Sequence, residues 1–468
     1  MPLRTDREKG AHLLRRFGLG ASEAELNYYL QGGVDNAVDR LLNYEGVEEP
    51  YDYDLIDIMD IDQRALNPAI ASGWWTLKLV TTRRPLQEKM TLFWHNHFAT
   101  SAEKVSSGEV MHLQIDLLRA NATRDFHTLL TAISKDPGML YWLDNQFNVK
   151  GKPNENFARE LMELFTLGEG QGYTEQDIKE SARAFTGWTV AGPRATGDLP
   201  RRGATFRFKE TDHDAGTKTV LGRTGSLGGE DVIDILCNRP RTAEFLVAKL
   251  WEWFVYPNPV ASVVAKYSEK FRRSGLDIKA LLGEIMRSDE FYSDRAERAV
   301  YKNPVDFVIP TLRQLGMGPL LSARVKEDVD FRPRRMAPVA AASQSMKQMG
   351  MQLLYPPDVS GWPKGPAWVS SATMVARIGW ADRLFGQATG PGFQEFSSFG
   401  LFEQDPTPAG VANKLLSVFD APLAASKVSE LVGAAQKVSG GTLTEANVDK
   451  TAGAVARLIF ASPEFQFC

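Results

Sequence analysis

The chain is short of the residues that usually announce a chemistry. Among 468 residues only two are cysteine, Cys237 and Cys468. They form no Cys-x-x-Cys and no zinc spacing. Cys237 lies in an apolar helical stretch and reads as a small core residue. Nothing in the spacing supports a disulfide, so cysteine usage leaves the redox compartment open. No G-x-S-x-G elbow, Walker loop, dinucleotide fingerprint or HExxH helix occurs, and the Gly18-Leu19-Gly20 turn follows a helix rather than a strand. Ser360 stands in a loop (Asp358-Val359-Ser360-Gly361-Trp362), not at a strand-to-helix elbow. The net charge of -4 supplies no basic face for nucleic acid; Arg201-Arg202 and the group Arg332, Arg334, Arg335 read as loop charges. No run approaches the roughly 20 apolar residues of a membrane span. The first residues, to Gly18, hold no apolar signal core. The expected chain is soluble and unexported unless trimmed from a longer precursor.

Hydrophobic content of 43% and charged content of 24% are ordinary for a globular protein. Apolar residues recur at helical spacing along almost the whole length. Ser22-x-x-Glu25 is a capping box. Helices are expected near 74–97, split at Arg83-Arg84-Pro85, then near 107–120, 124–134, 230–255, 260–273, 277–288, 303–316, 335–354 and 370–386. The acidic stretch from Tyr51 to Asp62 lacks the glycine and closing glutamate of a calcium loop and reads as a solvated segment. Phe206 and Phe208 alternate with Arg207 and Lys209, a strand signal. A turn at Asp214-Ala215-Gly216 and a return strand over 217–221 complete one predicted hairpin. The fold class is therefore mainly α: a large, irregular multi-helix bundle with one small β-hairpin insertion near 204–222. Residues 1–386 read as the helical main domain, 387–410 as a connector, and 411–468 as a helical tail packing on it. LLTAISKDPGM (129–139), LLGEIMRSDEF (281–291) and VARLIFASPEF (455–465) share an apolar helix end, a polar turn and a closing Met or Phe. Convergent helix termination and a duplicated unit both account for that echo. Met346, Met349 and Met351 read as core filler rather than a copper site.

The densest constellation runs from Asn154 to Trp188. Asn154 is a candidate N-cap and Gly168 a candidate left-handed stop for a first helix. Thr174 is a candidate cap for a second. Glu155, Arg159 and Glu163 are successive i,i+4 neighbours, with Glu160 beside them. They form either an exposed ion-pair stripe or a buried cluster that meets histidines from elsewhere. Six histidines exist. His95 and His97 stand about 200° apart on a continuous helix and chelate one metal only if that helix ends at Asn96. His213 beside Asp214 is suited to a fixed tautomer, as a general base or metal ligand needs; an Asx-type turn is the structural alternative.

Together the motifs LLRRFGLGAS, FWHNHFATS, NENFARELMELFTLG, YTEQDI, ARAFTGW, HDAGTKTVLG and YPPDVSGWPKGPAWV resemble bacterial proteins of the domain-of-unknown-function 1800 family, over roughly residues 8 to 386. The resemblance implies a mostly helical protein, often exported, from a family whose genes often lie beside those of a sulfatase-like family, the 1501 group, a candidate partner. It brings no catalytic residues with it, but it draws attention to His12, His95, His97, Arg159, Glu160, His213 and Asp214 inside its motifs. Two functions are expected to compete. In the first, a hydrolase-like enzyme uses a possible divalent metal or an acid–base cluster. His213, Asp214, Glu160 and Arg159 are then catalytic, His95, His97 and Glu163 hold metal, and His12, Trp188, Trp362 and Trp368 bind substrate. In the second, the same polar residues are buried packing networks of a noncatalytic scaffold that acts with a partner protein, and the aromatic loop at 355–368 is its docking surface.

Overall fold

The computed structural model describes residues 3–51, 55, 66–192, 203–327, 336–387 and 397–468. Most of the acidic stretch after Tyr51, the arginine pair at 201–202, the arginine group at 332–335 and the first part of the expected connector lie outside them. In chain order the helices are α1 (Asp6–Arg16), α2 (Glu23–Leu30), α3 (Val34–Leu42), α4 (Pro68–Thr81), α5 (Pro85–His97), α6 (Ala102–Val105), α7 (Gly108–Ala120), α8 (Phe126–Ser134), α9 (Pro137–Trp142), α10 (Asn156–Glu160) and α11 (Glu175–Ala184). They continue as α12 (Gly229–Cys237), α13 (Pro240–Phe254), α14 (Ala261–Arg273), α15 (Ile278–Met286), α16 (Pro304–Gln314), α17 (Met317–Glu327), α18 (Ala337–Gln348), α19 (Ser371–Gln387), α20 (Ser398–Phe402), α21 (Pro408–Val418), α22 (Ala425–Ser439) and α23 (Val448–Ala461). The mainly α architecture is thus as the periodicity implies. One buried apolar cluster runs from Leu13 to Phe465, and Met346, Met349 and Met351 are part of it. No helix among the described residues is long and apolar enough to cross a membrane.

Local chemistry explains where the helices begin. Thr5, Ser22 and Thr174 each close a capping box, satisfying N–H groups that the first turn leaves free. Proline occupies the first turn of α4, α5, α9, α13 and α16, where its missing N–H is harmless. Buried cations close other helix ends, where free carbonyls and the dipole attract them. Arg16 is fully buried and donates to the Phe254 and Val255 carbonyls at the end of α13 at 2.9 and 3.0 Å, and to Cys468 O at 2.7 Å. Arg313 donates to the Val80 and Thr82 carbonyls at the end of α4 at 3.0 and 2.9 Å and pairs with Glu25 of the capping box.

The β elements differ from the expected hairpin. β1 (Trp188–Ala191) pairs antiparallel with β2 (Thr205–Phe208), Trp188 opposite Phe208. β3 (Lys218–Val220) pairs with β4 (Arg223–Gly225). The strand signal at 205–208 was real, but its partner lies before it in the chain. The strand at 218–220 turns back on its own successor because Leu221 and Gly222 take left-handed conformations, which close a two-residue turn.

The helices that carry two of the echoed segments meet at their N-terminal ends. Asp125 and Asp277, the N-caps of α8 and α15, form an isolated antiparallel bridge. Phe126 N–H reaches Leu276 O at 2.9 Å and Ile278 N–H reaches Arg124 O at 3.3 Å. At the other end of the chain, α23 packs along α19 and α22. Arg377 of α19, with no exposed surface, donates to Gln466 Oε1 at 3.0 Å and to the Lys302 carbonyl at 2.7 Å.

Candidate functional site

The stretch from Asn154 is not one α-helix. Asn154 does act at its start, its Oδ1 accepting from Asn156 N–H at 3.0 Å, and Gly168 takes the left-handed stop with φ 92°. Between them α10 widens into a π-helical turn, Leu161–Thr166. Leu167 N–H bonds Met162 O at 2.8 Å, and the Thr166 hydroxyl bonds Leu161 O at 2.7 Å. Widened turns of this kind interrupt the regular ladder and occur often at functional sites. Here the carbonyls point at side chains from other helices. His97 Nε2 lies 3.1 Å from Phe165 O, Lys249 Nζ donates to Leu164 O at 3.4 Å, and Arg241 Nε donates to Leu167 O at 2.9 Å.

His97 and Lys249 line a cavity of about 280 Å³. Phe93, Trp253, Tyr301 and Trp368 give it aromatic walls, with Asn96, Asn303 and Asp306 among its polar lining. One wall depends on the loop at 355–368. Asn96 Oδ1 accepts from Trp362 N–H at 2.7 Å. Gly361, at φ 90°, passes so close that an added Cβ would lie 2.5 Å from the Asn96 carbonyl oxygen, so only glycine suits this contact. Arg377 also donates to the Trp368 carbonyl at 3.3 Å, tying the wall to the C-terminal helices.

Both acids on the lining are neutralised. Asp306 pairs with buried Lys89 of α5 and accepts from Asn303 Nδ2 at 2.8 Å. Glu252 lies 3.5 Å from Lys364. Lys249 has no carboxylate within ion-pair distance among the described residues. Burial pushes its amine down to about 7, the Lys364 ammonium adds to the shift, and Glu252 opposes it. Burial also holds His97 well below the usual imidazole range, helped by the charge of Lys249. With Nε2–H given to a carbonyl, the neutral ring keeps its lone pair on Nδ1, which has no protein partner.

The other expected site residues lie elsewhere. His95 is fully buried between Trp75 and Trp362, ring centroids 5.4 and 5.2 Å away, and burial lowers it to about 3. Because α5 continues through His97, His95 and His97 stay on different sides of one intact helix. His12 is a core ring that contacts Phe291 O at 3.0 Å. Arg159 spans Glu155 at 3.2 Å, Glu163 at 3.3 Å and Glu175 at 2.7 Å with 31% of its side chain exposed. This is the ion-pair stripe, not a cluster with histidines. Glu160 is half-buried and raised first by desolvation, then by Glu163. His213 Nδ1 lies 2.9 Å from Thr186 O. Asp214 accepts from Arg183 Nε at 2.8 Å and from Gly216 N–H at 2.9 Å, an Asx turn. Arg183 holds the Asp214 carboxyl down at about 2. Lys218, itself buried, donates to the carbonyls of Asp214 and Gly216, so the HDAGTK motif is a turn wrapped round its own lysine.

Among the described residues no three His, Cys, Asp or Glu side chains are grouped to hold a metal ion. The expected His95, His97 and Glu163 set is therefore not assembled. Trp188 packs on Phe185 and Phe206 and does not line the cavity with Trp368. Trp362 and Trp368 are 4% and 5% exposed, so the aromatic loop turns its tryptophans inward rather than out as a docking face. Sequence reading missed Lys249, Asp306, Asn303, Trp253 and Tyr301. The available signal was the lone lysine in the apolar run FLVAKLWEWF.

The chain belongs to the family described as protein of unknown function (DUF1800), whose model matches residues 12–467. No curated protein matches the chain, and no solved structure does.

Proposed function

We propose that the protein is an enzyme that binds a small molecule with flat apolar faces in the cavity between α5, α13, the start of α16 and the loop at 355–368. Lys249 is its proton-transfer or nucleophilic group. One observation carries this reading: a primary amine without a carboxylate partner among the described residues stands in an aromatic-walled cavity of about 280 Å³. Concave, mostly apolar sites with a few convergent polar groups are where ligands bind, and an amine brought down to about 7 suits chemistry there. His97 contributes a fixed, neutral ring. Asp306, neutralised by Lys89, keeps the α16 end of the pocket polar without presenting an unpaired charge. The metal-dependent, hydrolase-like version is not carried forward, because its donors are engaged separately with backbone, aromatic rings and Arg159.

The test is a screen of small-molecule pools by thermal shift on the wild type, Lys249→Met and Ala299→Phe. Ala299 lines the cavity, and phenylalanine there occupies it. Ligands of this site stabilise the wild type and fail to stabilise Ala299→Phe. A compound that is turned over shows a rate that rises through about pH 7 and disappears in Lys249→Met. Hits that stabilise all three proteins equally would overturn the assignment. Binding with no turnover would keep the pocket and remove the chemistry.

A further inference from the structure

Resting on the reading of this cavity as a small-molecule site, we infer that its substrate class is an aldehyde or ketone, captured by Lys249 as an imine. Three features of the pocket carry this. The acids on its lining are already ion-paired, Glu252 with Lys364 and Asp306 with Lys89, so no free carboxylate waits for a cationic ligand. Lys249, the remaining charged group of the lining, is held by a backbone carbonyl at 3.4 Å and lies 5.0 Å from the centre of the Phe245 ring. Neither contact stabilises an ammonium as a carboxylate does. The walls are aromatic, which takes the amine partly out of water and fits a flat apolar body next to the reacting carbon.

In the step itself the Lys249 nitrogen attacks the carbonyl carbon. A carbon–nitrogen double bond replaces the carbon–oxygen one, and the oxygen leaves as water with the two amine hydrogens. No oxidant or reductant is consumed. An ordinary lysine, near 10.4, is a free amine in roughly one molecule in 2,500 at pH 7; burial shifts Lys249 far from that limit. The π-helical turn sets the geometry, because the Leu164 carbonyl holds the Lys249 amine while Phe165 holds His97 beside it.

Trapping decides the matter. The full-length protein is incubated with benzaldehyde and sodium cyanoborohydride near neutral pH, where hydride reduces the imine to a stable benzyl amine, and the product is mapped by peptide mass spectrometry. Lys249 is expected to be labelled at least about tenfold faster than exposed lysines such as Lys270, with a labelling rate that is half-maximal near pH 7. Ala299→Phe is expected to remove the preference; a thermal melt shows whether that variant is folded. If it is not, the pH dependence of labelling in the wild type decides alone. Labelling of Lys249 no faster than Lys270, or a rate still rising steeply above pH 9, would overturn the inference. If trapping fails while ligands still stabilise the wild type and not Ala299→Phe, the carbonyl class falls and the cavity assignment stands.

Discussion

Replacing His95 with phenylalanine should make the protein less sensitive to acid. His12, His95 and His97 are all buried and all held below the ordinary imidazole value, chiefly by desolvation. The charges of Arg15, Arg16 and Arg298 add to this at His12, and those of Lys249 and Lys364 at His97. For a group whose native value is depressed, the unfolded chain binds more protons, so stability rises with pH. The contribution is complete above the unfolded value of about 6.5 and is lost as pH falls below it. With its ring still neutral at about pH 5, His95 takes away about 2 kcal/mol of stability relative to pH 7.5, and His12 and His97 act in the same direction. Asp136 acts in the opposite direction. Burial raises it to about 6, and over the same interval its protonation restores about 1 kcal/mol. The net loss from His95 and Asp136 is therefore about 1 kcal/mol, to which His12 and His97 add. Phenylalanine fills the place between Trp75 and Trp362 and has no proton to take up. His95→Phe should match or exceed the wild type at about pH 7.5 and lose about 2 kcal/mol less on acidification to pH 5. Urea unfolding midpoints at the two pH values measure the difference, and the imidazole proton shifts of His95 report its titration directly. Equal losses in both proteins, or a His95 ring that titrates near 6.5, would refute the reasoning.

Asp136 gives a prediction of the opposite sign. Its carboxyl is fully buried, accepts from Met139 N–H at 2.8 Å and from Gln114, and releases its proton only near pH 6. Its contribution is present below the unfolded value of about 3.9 and lost as pH rises through the native one. Asp136→Asn keeps a capping oxygen and should exceed the wild type by up to about 3 kcal/mol at pH 7.5, a gap that closes by about pH 4; an asparagine variant less stable at pH 7.5 would contradict it. Arg159→Ala removes a half-exposed ion-pair network and should change the unfolding free energy by less than about 1 kcal/mol. It should also leave ligand-induced stabilisation at the cavity unchanged, and a loss of binding in that variant would place Arg159 at the site after all.

What could be read in the sequence was what depends on neighbours in the chain. The box at Ser22, the cap at Thr174, the stop at Gly168 and the ladder Glu155–Arg159–Glu163 are all decided within four residues, and all are present. The expected meeting of acids with imidazoles was not legible, because the groups that the polar side chains meet are largely main-chain carbonyls, and these leave no mark in a sequence. His12 faces the Phe291 carbonyl, His97 that of Phe165, His213 that of Thr186, and Arg16 those of Phe254 and Val255. A reading that pairs side chain with side chain assigns such residues to metal or acid–base clusters by default. The π-helical turn shows why the default fails. One altered hydrogen-bond register at Leu161–Thr166 turns several carbonyls outward, and the same turn thereby anchors an imidazole and an amine from two distant helices. The motif from Asn154 does organise the site, but through its backbone, and the residue it positions for chemistry is a lysine that no motif advertised.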